Sequence, residues 1–575
     1  MNAISARKLV DLLSLWPLVV NSLAALSAVV VVSVGGHRLA VAVPLGTVLL
    51  IMWRQRRALI RIPKGVGGAG RYQTARLVLV ATAAAQLHVL GELSALEVLA
   101  LVLAILALAA ETLLRSLNRI AVPYAANIPG HVSRDRPSIP CGWLFPLNLL
   151  CLFVLVLAVL APSVLTPLVI LLAGAALVLS GVLLLDVVRR IQDRRRFQAD
   201  LPQILERMEP VFYIYWHAPP RSAFQVTMWL PYLELLGVPF AIVVRTVGNL
   251  RQLQEATTHP VILRRSLTDL DDLIVPSLRG VFYVNNAMRN NHMVRYSQLM
   301  HIQLLHGESD KASSATPIIR MYDRNFVAGQ AAIDRFETFG VAMPPEIFRI
   351  VGRPQVEGVE AERAPAAEIT DPSVLYAPTW LGYQAETNYS SLLAGPAIVR
   401  GLLERGCRVV FRPHPYSSRS PELRTACAEI RGMLEADAVA TGREHLYGPL
   451  AEKEMSVVDC FNAADAMISD VSAVVGDFLH SGKPLAMVSP RTGAAEFVQQ
   501  FPMARAAYVL ETDGASPRAL EELLEELLST DTRREERHRW ATYYLGDIPR
   551  GTYAQRFVVV AREELGLGKA TSVAP

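Results

Sequence analysis

The chain has 575 residues, 52% of them hydrophobic, and a formal net charge of +4. This length predicts two to four domains, and so small a charge gives no reason to expect a nucleic-acid partner. The five cysteines are scattered without a Cys-x-x-Cys pair. That pattern argues against a structural zinc site or a disulfide framework and fits a reducing compartment.

The hydrophobic excess lies almost entirely before Asp186. A helix needs about 20 apolar residues to cross a bilayer, and residues 1–190 are therefore predicted to form a transmembrane region of about six helices. The second and third apolar stretches are short enough to be re-entrant. The six stretches are about 12–34, 39–53, 75–91, 93–114, 144–161 and 164–185.

Basic residues mark alternate loops of this region. They follow the second, fourth and sixth stretches, as in "RRIQDRRR" at 189–196, while the other loops are almost uncharged. This bias predicts an even number of spans with both ends in the cytoplasm, in the cell membrane. The acids of the region, mainly Glu92, Glu97 and Glu111, fall near a turn or helix ends. We therefore expect an anchor or a lipid-facing platform rather than a transporter.

From about residue 205, short β-rich runs alternate with helical stretches. Alternation of this kind predicts parallel sheets in two doubly wound domains, residues 200–355 and 373–565. A polar linker at 356–372 joins them, and residues 566–575 are expected to be a disordered tail. Two such domains leave a cleft, and ligands bind at the carboxyl ends of the strands. The predicted strands are 210–216, 239–245, 280–286, 301–307, 324–330, 373–380, 407–415, 465–470 and 483–489.

Residues suited to chemistry follow four of these strands. A lone histidine is more often structural than catalytic, but His414 lies between Pro413 and Pro415, which fix the backbone. The imidazole and the neighbouring Arg412 guanidinium are thus presented rigidly, as a phosphate oxyanion requires. The candidates are His306, Glu308, Asp310 and Lys311 in "LLHGESDK", Thr379 in "LYAPTW", Arg412 and His414 in "VVFRPHPYS", and Ser469, Asp470, Ser472 and Lys483 in "MISDVSAVVGDFLHSGKP".

The last of these segments has two interpretations. It predicts a strand end, a hydroxyl-rich turn and then a helix, whose N-terminal amides bind anions well. An ordinary N-cap by Asp470 or Ser472 explains the same residues equally well.

Taken in order, "YAPTW", "RPHP", the "SDVSAVVGDF" turn and "GKP" resemble the CDP-glycerol glycerophosphotransferases of teichoic acid synthesis. The "HG" at 306–307 is similar to an earlier His-Gly motif of that family, also followed by a lysine, and "GDIPRGTYAQR" at 546–556 resembles its closing segment more loosely. The resemblance covers about 205–565. It implies a GT-B-like pair of Rossmann-type domains after the α-helical membrane region. The nucleotide donor would lie on the second domain, and the acceptor would approach from the first.

The resemblance also implies roles for the candidates. His306 becomes the general base, and His414, counted with it as catalytic, contacts the donor diphosphate together with Arg412. Phosphoryl transfer needs a base near the acceptor hydroxyl and cations around the phosphates, and lysines can supply the latter. The donor or phosphate-binding set is Lys311, Arg412, Thr379, Ser469, Asp470, Ser472 and Lys483.

The acids after "HG" depart from the family pattern. Glu308 and Asp310 can contact the acceptor, pair with Lys311 or hold a divalent ion such as Mg2+. No tightly bound metal or other cofactor is required by the resemblance.

These features predict a membrane-anchored transferase. It would move glycerol phosphate, or a related polyol phosphate, from a CDP-activated donor to a hydroxyl of a lipid-linked or polymer acceptor, releasing CMP, in cell-envelope polymer synthesis. One alternative is a GT-B glycosyltransferase that uses a nucleotide sugar, which donor competition would separate. Another is a non-catalytic nucleotide-binding membrane scaffold, which nucleotide binding without turnover would favour.

Overall fold

The structure is a computed structural model, and it divides the chain into two compact units, Met1–Pro202 and Gln203–Pro575. Of the predicted features, Glu308, parts of the first two apolar stretches and most of the tail lie outside the described residues. The described residues are 20–30, 33, 45, 46, 48–53, 72–131, 133, 141–307, 309–311, 314–382 and 388–568.

The first unit is helical. Three of its helical segments, Ala95–Asn118, Cys141–Ala158 and Pro162–Met208, are long and apolar enough to cross a membrane, and they fall on the last three predicted stretches. A capping box of Ser94 and Glu97 begins the first of them, which explains an acid at that position. The helices are α1 Val20–Val30, α2 Gln73–Val89, α3 Ala95–Asn118, α4 Leu144–Ala158 and α5 Pro162–Met208.

Glu111 is fully buried among these helices. The Glu111 carboxylate accepts hydrogen bonds from Arg76 Nη1 at 2.6 Å, Arg115 Nε at 2.9 Å and Asn148 Nδ2 at 2.9 Å. These partners compensate a charge that would otherwise be costly to bury. Glu111 therefore joins α2, α3 and α4.

The second unit begins with a parallel sheet of seven strands. All residues of its first two strands are buried, as expected of parallel strands covered on both faces. The strand order across the sheet is β3-β2-β1-β4-β5-β6-β7. From β1 the chain first adds strands on one side and then, from β4 on, adds them on the other side, as in a doubly wound fold. The strands are β1 Phe212–Trp216, β2 Phe240–Val244, β3 Val261–Leu263, β4 Gly280–Tyr283, β5 Met300–Gln303, β6 Arg324–Val327 and β7 Phe348–Ile350, and the helices are α6 Phe224–Thr227, α7 Leu230–Glu234, α8 Val247–Ala256, α9 Asn291–Val294 and α10 Gln330–Thr338.

A second sheet follows in the order β9-β8-β10-β11-β12-β13. Its first five strands are parallel, and a two-residue antiparallel strand ends it. This order has its own reversal, between β8 and β10. The strands are β8 Ser373–Ala377, β9 Arg408–Phe411, β10 Ala466–Ser469, β11 Leu485–Ser489, β12 Tyr508–Asp513 and β13 Ser516–Pro517, and the helices are α11 Gly395–Glu404, α12 Pro421–Thr441, α13 Val457–Asn462, α14 Ala473–Phe478, α15 Ala494–Gln500, α16 Leu520–Glu525, α17 Arg534–Leu545 and α18 Tyr553–Glu564.

The last helix, α18, packs on the first sheet domain. Glu564 accepts hydrogen bonds from Arg324 Nε and Arg349 Nε, at 2.8 and 2.5 Å, and the Phe557 ring lies 5.3 Å from that of Trp229. The predicted boundary at 565 counts this helix with the second domain, which Tyr553 contacts through the His480 ring at 5.4 Å, whereas Phe557 and Glu564 contact the first. The predicted fold class, a helical membrane region followed by a GT-B-like pair of doubly wound Rossmann-type domains, is confirmed.

Candidate active site

His306 lies just beyond the carboxyl end of β5. The preceding residue, Leu305, has a left-handed backbone with φ of 54°, and its carbonyl accepts a hydrogen bond from Trp229 Nε1 at 2.6 Å. A Cβ atom at Gly307 would lie 3.0 Å from Ala473 Cβ, at the start of α14. The glycine thus lets the His306 loop approach the second sheet domain closely.

The hydrogen bonds of His306 fix its neutral tautomer. Its Nδ1 lies 2.8 Å from the carbonyl oxygen of Val284, which can only accept, so Nδ1 carries the proton. Nε2 therefore keeps a free electron pair. Burial lowers the pKa of His306, a shift that the Val284 hydrogen bond opposes and the charge of Arg353 increases. The ring is neutral at pH 7 and able to accept a proton.

Gln225 orients this lone pair. Its Oε1 accepts from Trp216 Nε1 at 3.1 Å and from Asn285 Nδ2 at 2.8 Å, which leaves the Nε2 amide to face His306 Nε2 at 3.4 Å. The sequence analysis missed Gln225, since a glutamine within a short helix carries no motif.

His414 has the opposite tautomer. Its Nδ1 accepts a hydrogen bond from the backbone amide of Tyr416 at 3.1 Å, so the proton of the neutral ring is on Nε2. Burial lowers its pKa to about 4, and the charges of Lys311 and Arg419, with that of His306 when it is protonated, contribute to the same shift. At pH 7 His414 is therefore a neutral donor rather than a base.

Aromatic rings hold this second histidine. The Trp380 ring stacks on His414 at 6.1 Å, and Tyr416 meets both rings edge-on at 5.2 Å. The Tyr416 hydroxyl lies 2.7 Å from Ser222 Oγ of the first sheet domain. This contact joins the two domains beside the histidines.

Lys311 and Asp470 form the charged part of the site. Burial raises the pKa of Asp470 to about 6, against hydrogen bonds from Ser391 and the charge of Lys311. Burial likewise lowers the pKa of Lys311, and Asp470 opposes that shift. The Lys311 ammonium lies 5.9 Å from the centre of the Tyr389 ring. Each charge therefore lies within the electrostatic influence of the other.

The Asp470 carboxylate is saturated by its neighbours. It accepts from the Thr379 amide at 3.0 Å and from the Ser391 amide and hydroxyl at 2.8 and 2.9 Å. The Ser469 hydroxyl donates to the Ala377 carbonyl at 2.7 Å. Ser472 begins α14, but its hydroxyl caps none of the described amides of that helix. Neither Asp470 nor Ser472 therefore acts as the side-chain N-cap that one interpretation required.

Two of the predicted cations are engaged elsewhere. Arg412 follows β9, but its Nη1 donates to the carbonyls of Ala451 and Met455. Lys483 is buried at the amino edge of the second sheet, where its ammonium donates to the Phe461 carbonyl at 2.9 Å. That edge is opposite to the one on which Asp470 lies, so the structure does not bring Lys483 to the other candidates.

Asp310 fastens the two sheet domains together. Its carboxylate accepts from the Met503 amide at 2.9 Å and from the Tyr544 hydroxyl at 2.9 and 2.8 Å. A second contact between the two sheet domains, which sequence reasoning missed, is the ion pair of Arg353 Nε with Asp477 Oδ1 at 2.8 Å. Asp310 is thus occupied by the second sheet domain rather than open to an acceptor or an ion.

Among the described residues no group of three or more His, Cys, Asp and Glu side chains is placed to hold a metal ion. The proposed absence of a required metal stays a prediction, as do the assigned roles of the site residues.

The paired doubly wound sheets define a GT-B-like fold, with one histidine loop at the carboxyl edge of each sheet. Residues 361–542 match the family model described as CDP-Glycerol:Poly(glycerophosphate) glycerophosphotransferase. The predicted resemblance is thereby confirmed over this segment, which is similar to CDP-glycerol glycerophosphotransferases. The match includes the Thr379, His414 and Asp470 motifs but not the His306 loop.

Solved structures with similar folds have low sequence identity. A putative UDP-N-acetylglucosamine 2-epimerase from Listeria monocytogenes is 13% identical, with a TM-score of 0.41, over 63% of this chain and 98% of that one. The wall teichoic acid polymerase TagF is 12% identical, with a TM-score of 0.39, over 66% and 96%. No curated protein sequence matches significantly. The fold assignment therefore rests on the strand order described above.

Proposed function

We propose that the chain is a membrane-anchored transferase that moves glycerol phosphate, or a related polyol phosphate, from a CDP-activated donor to a hydroxyl of a lipid-linked or polymer acceptor in cell-envelope polymer synthesis, releasing CMP. The opposite tautomers of His306 and His414 carry this proposal. One ring can take a proton and the other can give a hydrogen bond, and the family match supports the donor class.

The reaction uses both rings. His306 Nε2 takes the proton of the acceptor hydroxyl while its oxygen attacks the phosphorus that bears the glycerol. A new phosphorus–oxygen bond forms as the bond from that phosphorus to the oxygen shared with CMP breaks, and CMP leaves with the electron pair. His414 Nε2–H and the Lys311 ammonium stabilise the charge that develops on the phosphate oxygens.

The membrane part places this chemistry at a lipid surface. Three helical segments are long and apolar enough to span, and the basic loops support a multi-pass arrangement with the sheet domains at the cytoplasmic face of the cell membrane. CDP-activated donors are cytoplasmic, which agrees with that orientation.

The test is transfer of labelled glycerol phosphate from CDP-glycerol to a membrane-lipid extract by the full-length protein in detergent. We expect labelled lipid or polymer together with CMP, unchanged by a metal chelator. Unlabelled CDP-polyols should compete and nucleotide sugars should not. Competition by a nucleotide sugar alone would favour the glycosyltransferase alternative, and CDP-glycerol binding without transfer to any lipid fraction would favour the scaffold.

A further inference from the structure

Arg245 lies at the carboxyl end of β2, outside the machinery described above. It is 4% exposed, and its Nη2 donates to the Arg265 carbonyl at 3.0 Å. Its Nε and Nη1 have no hydrogen-bond partner among the described residues, and its other polar neighbour is the Tyr215 hydroxyl, which donates to the Arg289 carbonyl at 3.1 Å. A buried cation with unmet donors is costly unless an anion binds it.

Two histidines lie within electrostatic range of this guanidinium and of the exposed Arg289 side chain. We name Arg245, His217, Arg289 and His292 the Arg245 cluster. His292 has a buried Nδ1 without a partner in the described part of the chain. Burial lowers the pKa of both histidines, and the charges of Arg245 and Arg289 lower each of them further. The charged groups that shift these two pKa values most are cations, one of which, Arg295, is paired with Asp271 at 2.7 Å.

The cluster shares a sheet edge with the proposed base. His217 follows β1 and His306 follows β5, with β4 between them, so two strand spacings of about 4.8 Å separate them. Asn285 connects His217 to His306. Its Nδ2 donates to the His217 carbonyl at 3.1 Å and to Oε1 of Gln225, and the Nε2 amide of Gln225 faces His306. An anion at the cluster would therefore lie about 10 Å or more from the reacting hydroxyl.

We propose that the Arg245 cluster binds a phosphate group of the acceptor, set back from the hydroxyl that reacts at His306. The inference rests on the proposed function. The donor phosphates are assigned to Lys311 and His414, so an anion on the outer part of the first sheet edge belongs to the other substrate. Guanidinium groups suit phosphate because they donate in pairs. A phosphodiester of a growing polymer and a lipid-linked phosphate share this chemistry.

The test measures acceptor binding without the donor. Full-length protein in detergent is titrated calorimetrically with a lipid-free oligomer of glycerol phosphate and, separately, with a short lipid phosphate. The variants are Arg289→Gln, which changes an exposed side chain, and Arg245→Gln. The control is Arg279→Gln, since Arg279 is exposed at the amino end of β4, on the opposite edge of the same sheet.

We expect each cluster variant to bind the phosphate-bearing acceptor about tenfold more weakly. The KM for that acceptor should rise likewise, while the KM for CDP-glycerol and all values for Arg279→Gln stay at the wild-type level. An effect on the oligomer indicates a polymer phosphate, and an effect on the lipid alone indicates a lipid phosphate; both support the site. Unchanged affinity for both ligands in folded Arg289→Gln would overturn it.

The two proposals fail separately. Wild-type protein that binds these acceptors through Arg289 but transfers nothing would contradict the proposed reaction and leave the phosphate site standing. Transfer that is normal in Arg289→Gln and Arg245→Gln at limiting acceptor would contradict the phosphate site and leave the reaction standing.

Discussion

A histidine follows a strand at the carboxyl edge of each of the two sheets. The hydrogen bonds of the two rings fix opposite neutral tautomers. His306 donates from Nδ1 to a carbonyl and keeps its lone pair on Nε2, whereas His414 accepts at Nδ1 and keeps its proton on Nε2. The comparison teaches that the partner of Nδ1, rather than the residue type, separates a base from a hydrogen-bond donor.

The edges also differ in how their charges are compensated. On the second sheet the Asp470 carboxylate is enclosed by donors from Thr379 and Ser391. On the first sheet the Arg245 guanidinium keeps unmet donors among the described residues. The Asp470 carboxylate is therefore compensated by its own chain, whereas the Arg245 guanidinium is left for an anion from outside.

The largest expected effect comes from removing the base. In His306→Ala we expect transfer to fall by about 100- to 10,000-fold, because the variant lacks the proposed general base. CDP-glycerol binding, measured by calorimetry, should stay near the wild-type value because the donor phosphates are assigned to Lys311 and His414 rather than to His306. Wild-type transfer by this variant would contradict the role of His306.

The pH dependence of transfer tests whether the neutral His306 ring is the base. The lowered pKa of His306 means that the neutral, active form persists below pH 6.5. We expect kcat/KM for the acceptor to be flat from pH 7 to 8 and to fall about tenfold per pH unit below the His306 pKa. The residual rate of His306→Ala should lack this inflection. An inflection above pH 6.5 in the wild type would contradict the assignment.

Lys311 tests the donor side. Replacement by Gln removes a charge near the donor phosphates, and we expect the Kd for CDP-glycerol to rise about tenfold. Lys453→Gln is the matched control because Lys453 is exposed. Lys483→Gln should also leave the Kd unchanged, since Lys483 lies at the other sheet edge. Equal losses at positions 311 and 483 would contradict this division.

The smallest effect on transfer is expected at Asp310. Because its carboxylate holds Met503 and Tyr544, Asp310→Asn should lower the free energy of unfolding by about 1–3 kcal/mol. The midpoint of thermal unfolding should fall, while donor affinity stays the same. Glu337→Gln, on the exposed face of α10, provides the control. A stable Asp310→Asn variant that loses transfer would instead make Asp310 part of the site.

Much of this architecture was predictable from periodicity. Buried strands such as Phe240–Val244 and the turns that follow them stand out because apolar runs and polar strand ends alternate. Short strands such as Val261–Leu263 could not be predicted in this way, because three residues are too few to show a period. The return of α18 to the first sheet and the clasp of Asp310 to Tyr544 depend on long-range packing that local sequence does not encode.

The candidate site was predictable in part for a similar reason. His306, Lys311, His414 and Asp470 fall at strand ends, where topology gathers side chains. The sequence could not predict which nitrogen of each histidine carries the proton, since that depends on Val284 and on the Tyr416 amide. Lys483 lies apart from these residues, because a lysine that precedes a strand lies at the amino edge of the sheet rather than at its carboxyl edge.

The most direct test compares glutamine at both histidines. A glutamine amide can donate a hydrogen bond but cannot take the hydroxyl proton at neutral pH. We would measure CMP release from CDP-glycerol with a membrane-lipid acceptor by the wild type, His306→Gln and His414→Gln. The account predicts that release is abolished in His306→Gln and partly retained in His414→Gln. Equal loss in both, or retention only in His306→Gln, would contradict it.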